Sequence, residues 1–124
     1  MRIFKNKPFS RFTVKSGITD IDLRKAISAA NRGLIDADLG GGVIKQRIAR
    51  TGQGKSGGFR TVILIRIGEI AFFVHGFAKN EVANIRDEEL VAFRLLAREM
   101  LNYDESELAQ AVARGALVEI TEND

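Results

Sequence analysis

The sequence predicts an α+β domain, a small antiparallel sheet flanked by helices, and three observations predict it. Residues 43–77 read as three consecutive strands. Segments of helical period, with capping residues at their starts, lie on either side of that block. Glycines stand where the chain must turn between elements. At 124 residues the chain is expected to be one domain, spanning 1–124, with a real core.

The elements follow in order. Phe9–Val14 reads as a short strand, with Phe4, Phe9, Phe12 and Val14 as its apolar content. The first helix is expected over Ile18–Arg32. Thr19 is its N-cap, Asp20 and Asp22 suit its first turn, and Ile18 with Leu23 has the spacing of a hydrophobic staple. Gly33 would end it. Leu34–Leu39 fits either a short helix or an extended link, and Gly40-Gly41-Gly42 then breaks the chain.

Val43–Ala49 alternates, with Ile44, Gln46 and Ile48 on one face and Lys45, Arg47 and Ala49 on the other. The loop Arg50–Gly58 is rich in glycine and expected to be mobile. In the next strand Thr61, Ile63, Ile65 and Ile67 oppose Arg60, Val62, Leu64 and Arg66. Gly68-Glu69 closes a hairpin onto Ile70–Phe77, which is apolar enough to be covered on both faces. A helix is expected over Asp87–Asn102, capped by Asp87, with Leu90, Phe93, Leu96, Ala97, Met100 and Leu101 as its stripe. Asp104 and Glu107 form a capping box for the following helix, and Tyr103 with Leu108 a staple. Gly115 ends that helix, and Ala116–Ile120 is the last strand. The helices are expected on one face of the sheet.

Composition narrows the function. Without cysteine there is no disulfide or thiolate chemistry, which is compatible with the cytoplasm. A single histidine cannot build a multi-His metal site. No apolar run approaches a membrane span, and no membrane partner is expected. Charge is polarised along the chain. Residues 1–80 hold 15 of the 19 basic and five of the 16 acidic residues, leaving +10 there and −7 over 81–124. From Gly41 to Arg66 there are six basic residues (Lys45, Arg47, Arg50, Lys55, Arg60 and Arg66) and no acidic one. That distribution suits a polyanion, and equally a basic sheet that faces an acidic helix of the same molecule.

Ala49-Arg50-Thr51-Gly52-Gln53-Gly54-Lys55-Ser56 approaches a nucleotide-binding P-loop. The pattern fails because Gly57-Gly58 and a β-branched strand follow, where a P-loop needs a helix N-terminus. Backbone amides and Lys55 remain suited to a phosphate. Lys45 and Arg47, two residues apart, project from one face, and Arg60 joins them if its strand pairs with theirs. Phe59 follows the loop and is the candidate for base stacking, whereas Phe72, Phe73 and Phe77 fit the core. His75 fits either a satisfied core position or an acid–base role. Lys79 and Asn80 stand at the strand exit, where they either reach a substrate or form a turn. Asp87-Glu88-Glu89 is helix-start chemistry.

Three segments carry a resemblance: Val43–Arg50, Gly52–Thr61, and Gly76-Phe77-Ala78-Lys79-Asn80-Glu81 with Asn84-Ile85. From residue 10 to about 120 the chain resembles the RelE/ParE toxin superfamily, in its RelE-like and HigB-like branch. The resemblance implies that superfamily's fold and a type II toxin that cuts mRNA on the ribosome. It implies no metal and no small-molecule cofactor, with attack by the neighbouring 2′-OH. It implies a cognate antitoxin as protein partner and the ribosome and mRNA as targets, in the cytoplasm.

Lys45 and Arg47 match the basic pair on the family's first central strand, and Arg60 matches the arginine that opens the next. Lys79 matches the lysine of a Gly-Lys-Arg-Glu stretch. Asn80 stands where the catalytic arginine would be, and Ile85 or Arg86 replaces a tyrosine. Either His75 or Arg86 compensates, or this branch cuts differently, or it does not cut. The implied catalytic set is Arg60, Lys45, Arg47, His75 and Lys79. The implied RNA-binding set is Lys55, Arg50, Phe59, Asn80 and Arg86. The alternatives are a ParE-like poison of gyrase and a non-catalytic module that binds RNA or only an antitoxin.

Overall fold

A computed structural model describes residues 1–50, 54–78 and 85–121, the side chains of 50 and 54–57 excepted. Its elements are β1 (Arg2–Asn6), α1 (Lys7–Ser16), α2 (Asp20–Asn31), β2 (Ala37–Gly40), β3 (Val43–Arg50), β4 (Gly54–Arg66), β5 (Ile70–Ala78), α3 (Asp87–Met100), α4 (Glu105–Ala113) and β6 (Leu117–Ile120). The strands form one sheet in the order β2-β3-β4-β5-β1-β6. All neighbours are antiparallel except β1 and β5, which are parallel. The expected α+β class with a flanked, mainly antiparallel sheet is what the chain adopts.

Several local expectations are corrected. Phe9–Val14 is not a strand but the body of α1. Asn6 caps that helix, accepting a hydrogen bond from the Phe9 N–H at 2.9 Å. Pro8 sits in the first turn, where its missing N–H costs nothing. Phe9 and Thr13, one helical turn apart, face the core, while Val14 is 85% exposed. The strand lies earlier, at β1. The Leu34–Leu39 link is extended and enters β2. β3 runs to Arg50 and β4 begins at Gly54, so the strands take up much of the expected loop. α3 is capped by Arg86, not Asp87, because the Glu89 carboxylate reaches back to the Arg86 N–H at 3.0 Å. The Thr19–Asp22 and Asp104–Glu107 capping boxes both form.

Helices cover both faces of the sheet, not one. Central strands that are apolar on both sides need this. Ile44, Ile48, Ile63, Ile65 and Phe73 pack under α1 and α2, against Phe9, Leu23, Ile27 and Ala30. On the reverse face Val43, Val62, Leu64, Phe72 and Val74 pack under α3 and α4, against Ala97, Met100, Leu108 and Ala111. Phe9 stacks on Phe73 at 5.1 Å on the first face, and Phe4 on Phe72 at 5.4 Å on the second.

One irregularity positions the functional face. Val62 pairs with His75 but Ile63 pairs with Phe73, so Val74 is an extra residue in β5. Strict alternation would send His75 under α1. The bulge instead leaves Val74 in the α3–α4 core and puts the His75 ring 5.8 Å from Phe93 of α3. Gly76 then falls under α1. A Cβ there would lie 2.4 Å from the Phe12 ring.

Two predictions follow from this packing. Gly76→Ala should cost about 2 kcal/mol of unfolding free energy in a denaturant titration, because the Phe12 ring has to move. At the other end of the sheet the Arg2 guanidinium forks onto Glu119, with both contacts at 2.9 Å. That hydrogen-bonded cation holds the Glu119 carboxyl below its usual range. A carboxylate depressed on folding stabilises the fold above its unfolded pKa, about 4.3, and the contribution fades as pH falls below that. Glu119→Gln should therefore flatten part of the acid limb of a stability-against-pH curve and leave its shape near pH 7 unchanged.

Candidate nucleic-acid interface on the sheet

On the α3 side of the sheet Phe93 lies 5.8 Å from the His75 ring, and polar side chains of β3 and β4 share that side. Register fixes their arrangement. Arg47 of β3 lies directly opposite Arg60 of β4, which lies opposite Phe77 of β5. In the adjacent row Lys45 lies opposite Val62, which lies opposite His75. The structure thus brings Lys45, Arg47, Arg60 and His75 together on one face, in two cross-strand rows.

Two arginines in direct register repel each other. Arg60 is half-buried, and its Nη1 is buried with no hydrogen-bond partner among the described residues. A buried donor on a cation left unpaired costs free energy, and an anion that accepts from it would recover that cost. Arg47 is partly neutralised. The Asp36 carboxylate accepts from the Arg47 N–H at 2.6 Å and lies 3.8 Å from Nε. His75 is half-buried, its ring 5.7 Å from Phe77 and 5.8 Å from Phe93. One turn before Phe93, Glu89 is held below the usual carboxylate range. The Arg86 N–H does most of this, and the Arg86 guanidinium and the His75 ring add to it.

Other predicted residues lie elsewhere. Phe59 is not a stacking platform. Its side chain is 4% exposed in the α1–α2 core, edge-on to Phe12 at 5.7 Å. Alternation decides this, because Arg60 takes the α3 side and its neighbour must take the other. Phe77, read as core, is 5% exposed but belongs to the same cross-strand row as Arg47 and Arg60. Arg86 is exposed at the start of α3 and pairs with Glu88 at 3.4 Å and Glu89 at 3.3 Å. It precedes Phe93 by two turns, about 10 Å along the helix axis. Ile85 packs against the α3–α4 core. The side chains of Arg50 and Lys55, and all of Lys79 and Asn80, lie outside the described residues.

Sequence reasoning missed Asp36 and Phe93 as neighbours of the site. Asp36 precedes Arg47 by eleven residues in a link that shows no periodicity. Phe93 belongs to a helical stripe that reads wholly as core. Only strand register and the β5 bulge reveal either.

The family model described as the RelE toxin of the RelE / RelB toxin-antitoxin system matches residues 1–120. A search of curated proteins finds no match.

Arg60→Met tests whether the unpartnered Nη1 is a cost carried by the free protein. The substitution keeps an unbranched stem and removes the unpartnered donor. Unfolding free energy should stay level or rise, by up to about 1 kcal/mol, in a denaturant titration. A clear loss of stability would mean that the guanidinium already has its partner.

Proposed function

The chain belongs to the RelE toxin family of a toxin–antitoxin system, and from that premise we propose that it is a ribosome-dependent endonuclease that cuts mRNA and so blocks translation. Membership implies an antitoxin as protein partner. The observation that carries the nuclease reading is the unpartnered, buried Arg60 Nη1 directly across the ladder from Arg47.

The chemistry follows from the groups. A ribose 2′-oxygen gives up its proton and bonds to the adjacent phosphorus. The bond from phosphorus to the 5′-oxygen breaks, and that oxygen takes a proton. The phosphoryl oxygens gain negative charge on the way. Arg60 and Arg47 meet that charge with preorganised donors, the kind of contribution that dominates many active sites. Lys45 and His75 flank Val62 in the next row and act as the proton-transfer pair. Family likeness adds Lys79 to the acid–base candidates, and Lys55, Arg50, Asn80 and Arg86 to the RNA contacts. The likeness also supports a reaction without a metal ion. Asn80 occupies the position of the family's catalytic arginine, and His75, turned onto this face by the bulge, supplies an imidazole in its place. An acidic or amphipathic antitoxin segment laid over the basic face would exclude RNA from it.

Induction of the chain in bacteria should arrest growth and produce mRNA ends phased to codons in primer extension. Arg60→Ala should lower ribosome-dependent cleavage by roughly 10²- to 10³-fold, and His75→Gln by about 10²-fold. Growth arrest with DNA damage and intact mRNA would favour a gyrase poison. A harmless protein that still binds its antitoxin would favour the non-catalytic reading.

A further inference from the structure

We propose that Asp36 is a positioning residue for Arg47: its carboxylate accepts a hydrogen bond from the backbone amide and is the counter-charge beside the inner guanidinium nitrogen, leaving the two terminal nitrogens to face a phosphate. The proposal rests on the nuclease reading for its catalytic consequence. Its geometry stands apart from that reading.

The sheet edge explains how Asp36 gets there. β2 pairs with β3 only as far as Ala37 opposite Lys45. Two residues further along, the Arg47 N–H has no strand partner on that side. The Asp36 carboxylate takes the vacant place, accepting from Arg47 N through Oδ2 at 2.6 Å. Its other oxygen, Oδ1, lies 3.8 Å from Arg47 Nε. One carboxylate is therefore hydrogen-bonded to the backbone end of the residue and stands at ion-pair distance from the guanidinium end.

Asp36 is itself fixed from the core. Its N–H donates to Gln46 Oε1 at 2.9 Å. Gln46 is 3% exposed, and its Nε2 donates to the Ala26 carbonyl at 3.0 Å and the Leu34 carbonyl at 3.1 Å. A buried amide with its hydrogen-bonding groups engaged does not reorient cheaply. Rigid α2 thus reaches Arg47 through Gln46 and Asp36.

Electrostatics gives the arrangement its use. Arg47 and Arg60 face each other in register, and without a counter-charge the more exposed Arg47 would swing away. Asp36 restrains it beside Arg60 from the far side, so its charge offsets repulsion without filling the space between the two arginines. The side chains are 44% exposed for Arg47 and 31% for Asp36, so incoming RNA can reach the guanidinium.

The plain alternative is that Asp36 only closes an open strand edge. Asp36→Asn separates the two, because the amide oxygen still accepts from the Arg47 N–H while the charge is gone. Single-turnover cleavage of ribosome-bound mRNA should be on the order of tenfold slower in Asp36→Asn. Affinity for the programmed ribosome should be unchanged or tighter, since the protein has gained positive charge. Asp36→Glu should recover most of the rate. Cleavage at the wild-type rate in Asp36→Asn, or a loss matched by weaker binding, would overturn the proposal. NMR of the Arg47 Nε–H signal provides a readout independent of cleavage. A clear shift of that signal between the wild type and Asp36→Asn is expected from loss of the neighbouring charge, and an unmoved signal would overturn the assignment. Failure of the nuclease reading would show separately, as a wild-type protein that does not cut.

Discussion

Two like charges held in register across a β-ladder are the constraint on which the rest of the site depends. Arg47 and Arg60 occupy directly opposed positions on the α3 side of the sheet. Left alone, such a pair destabilises its strands by a fraction of a kcal/mol or more. Here both strands are anchored from behind. Ile44, Ile48, Ile63 and Ile65 lie in the α1–α2 core, and Gln46 and Thr61 are buried, with the Thr61 hydroxyl donating to the Gln46 carbonyl at 3.0 Å. The hydrophobic face fixes the register, and the register forces the cations together. Stability generated on one side of the sheet is thus spent on holding an electropositive surface on the other.

The same alternation sorts the neighbouring residues. Once Arg60 takes the α3 side, Phe59 must enter the α1–α2 core. Alternation alone would also have buried His75 beneath α1. The extra residue at Val74 reverses that and adds the only histidine of the chain to the cationic face. A single bulge therefore decides whether this surface carries an imidazole. Gly76 follows from the same shift, because the reversed phase brings it against Phe12, where only hydrogen fits.

Much of this was legible in the sequence where local chemistry and period agree. The three central strands, the Thr19 and Asp104 caps and the facing of Lys45, Arg47 and Arg60 follow from two-residue alternation and capping spacing. The misreadings lie where a local signal was ambiguous or a tertiary contact overrode it. Phe9–Val14 has strand-like composition, but Asn6 and Pro8 make it a helix start. The second helical layer was hidden because a strand that is apolar on both sides does not say what covers it. Phe59 was misplaced by proximity to a glycine-rich segment, a weaker argument than parity along the strand. Asp36 and Phe93 carry no sequence signal, since their roles arise from pairing between distant elements.

On the proposed nuclease reading, the sheet face is a preorganised receptor for a phosphate attacked by its own ribose. The chemistry of the cut ends tests that most directly. Mass spectrometry of mRNA fragments from programmed ribosomes treated with the protein should find a 2′,3′-cyclic phosphate, or the 3′-phosphate from its opening, upstream of the break. The downstream fragment should begin with a 5′-hydroxyl. Fragments with a 3′-hydroxyl and a 5′-phosphate would mean that water, not the 2′-oxygen, attacks, and would contradict the account.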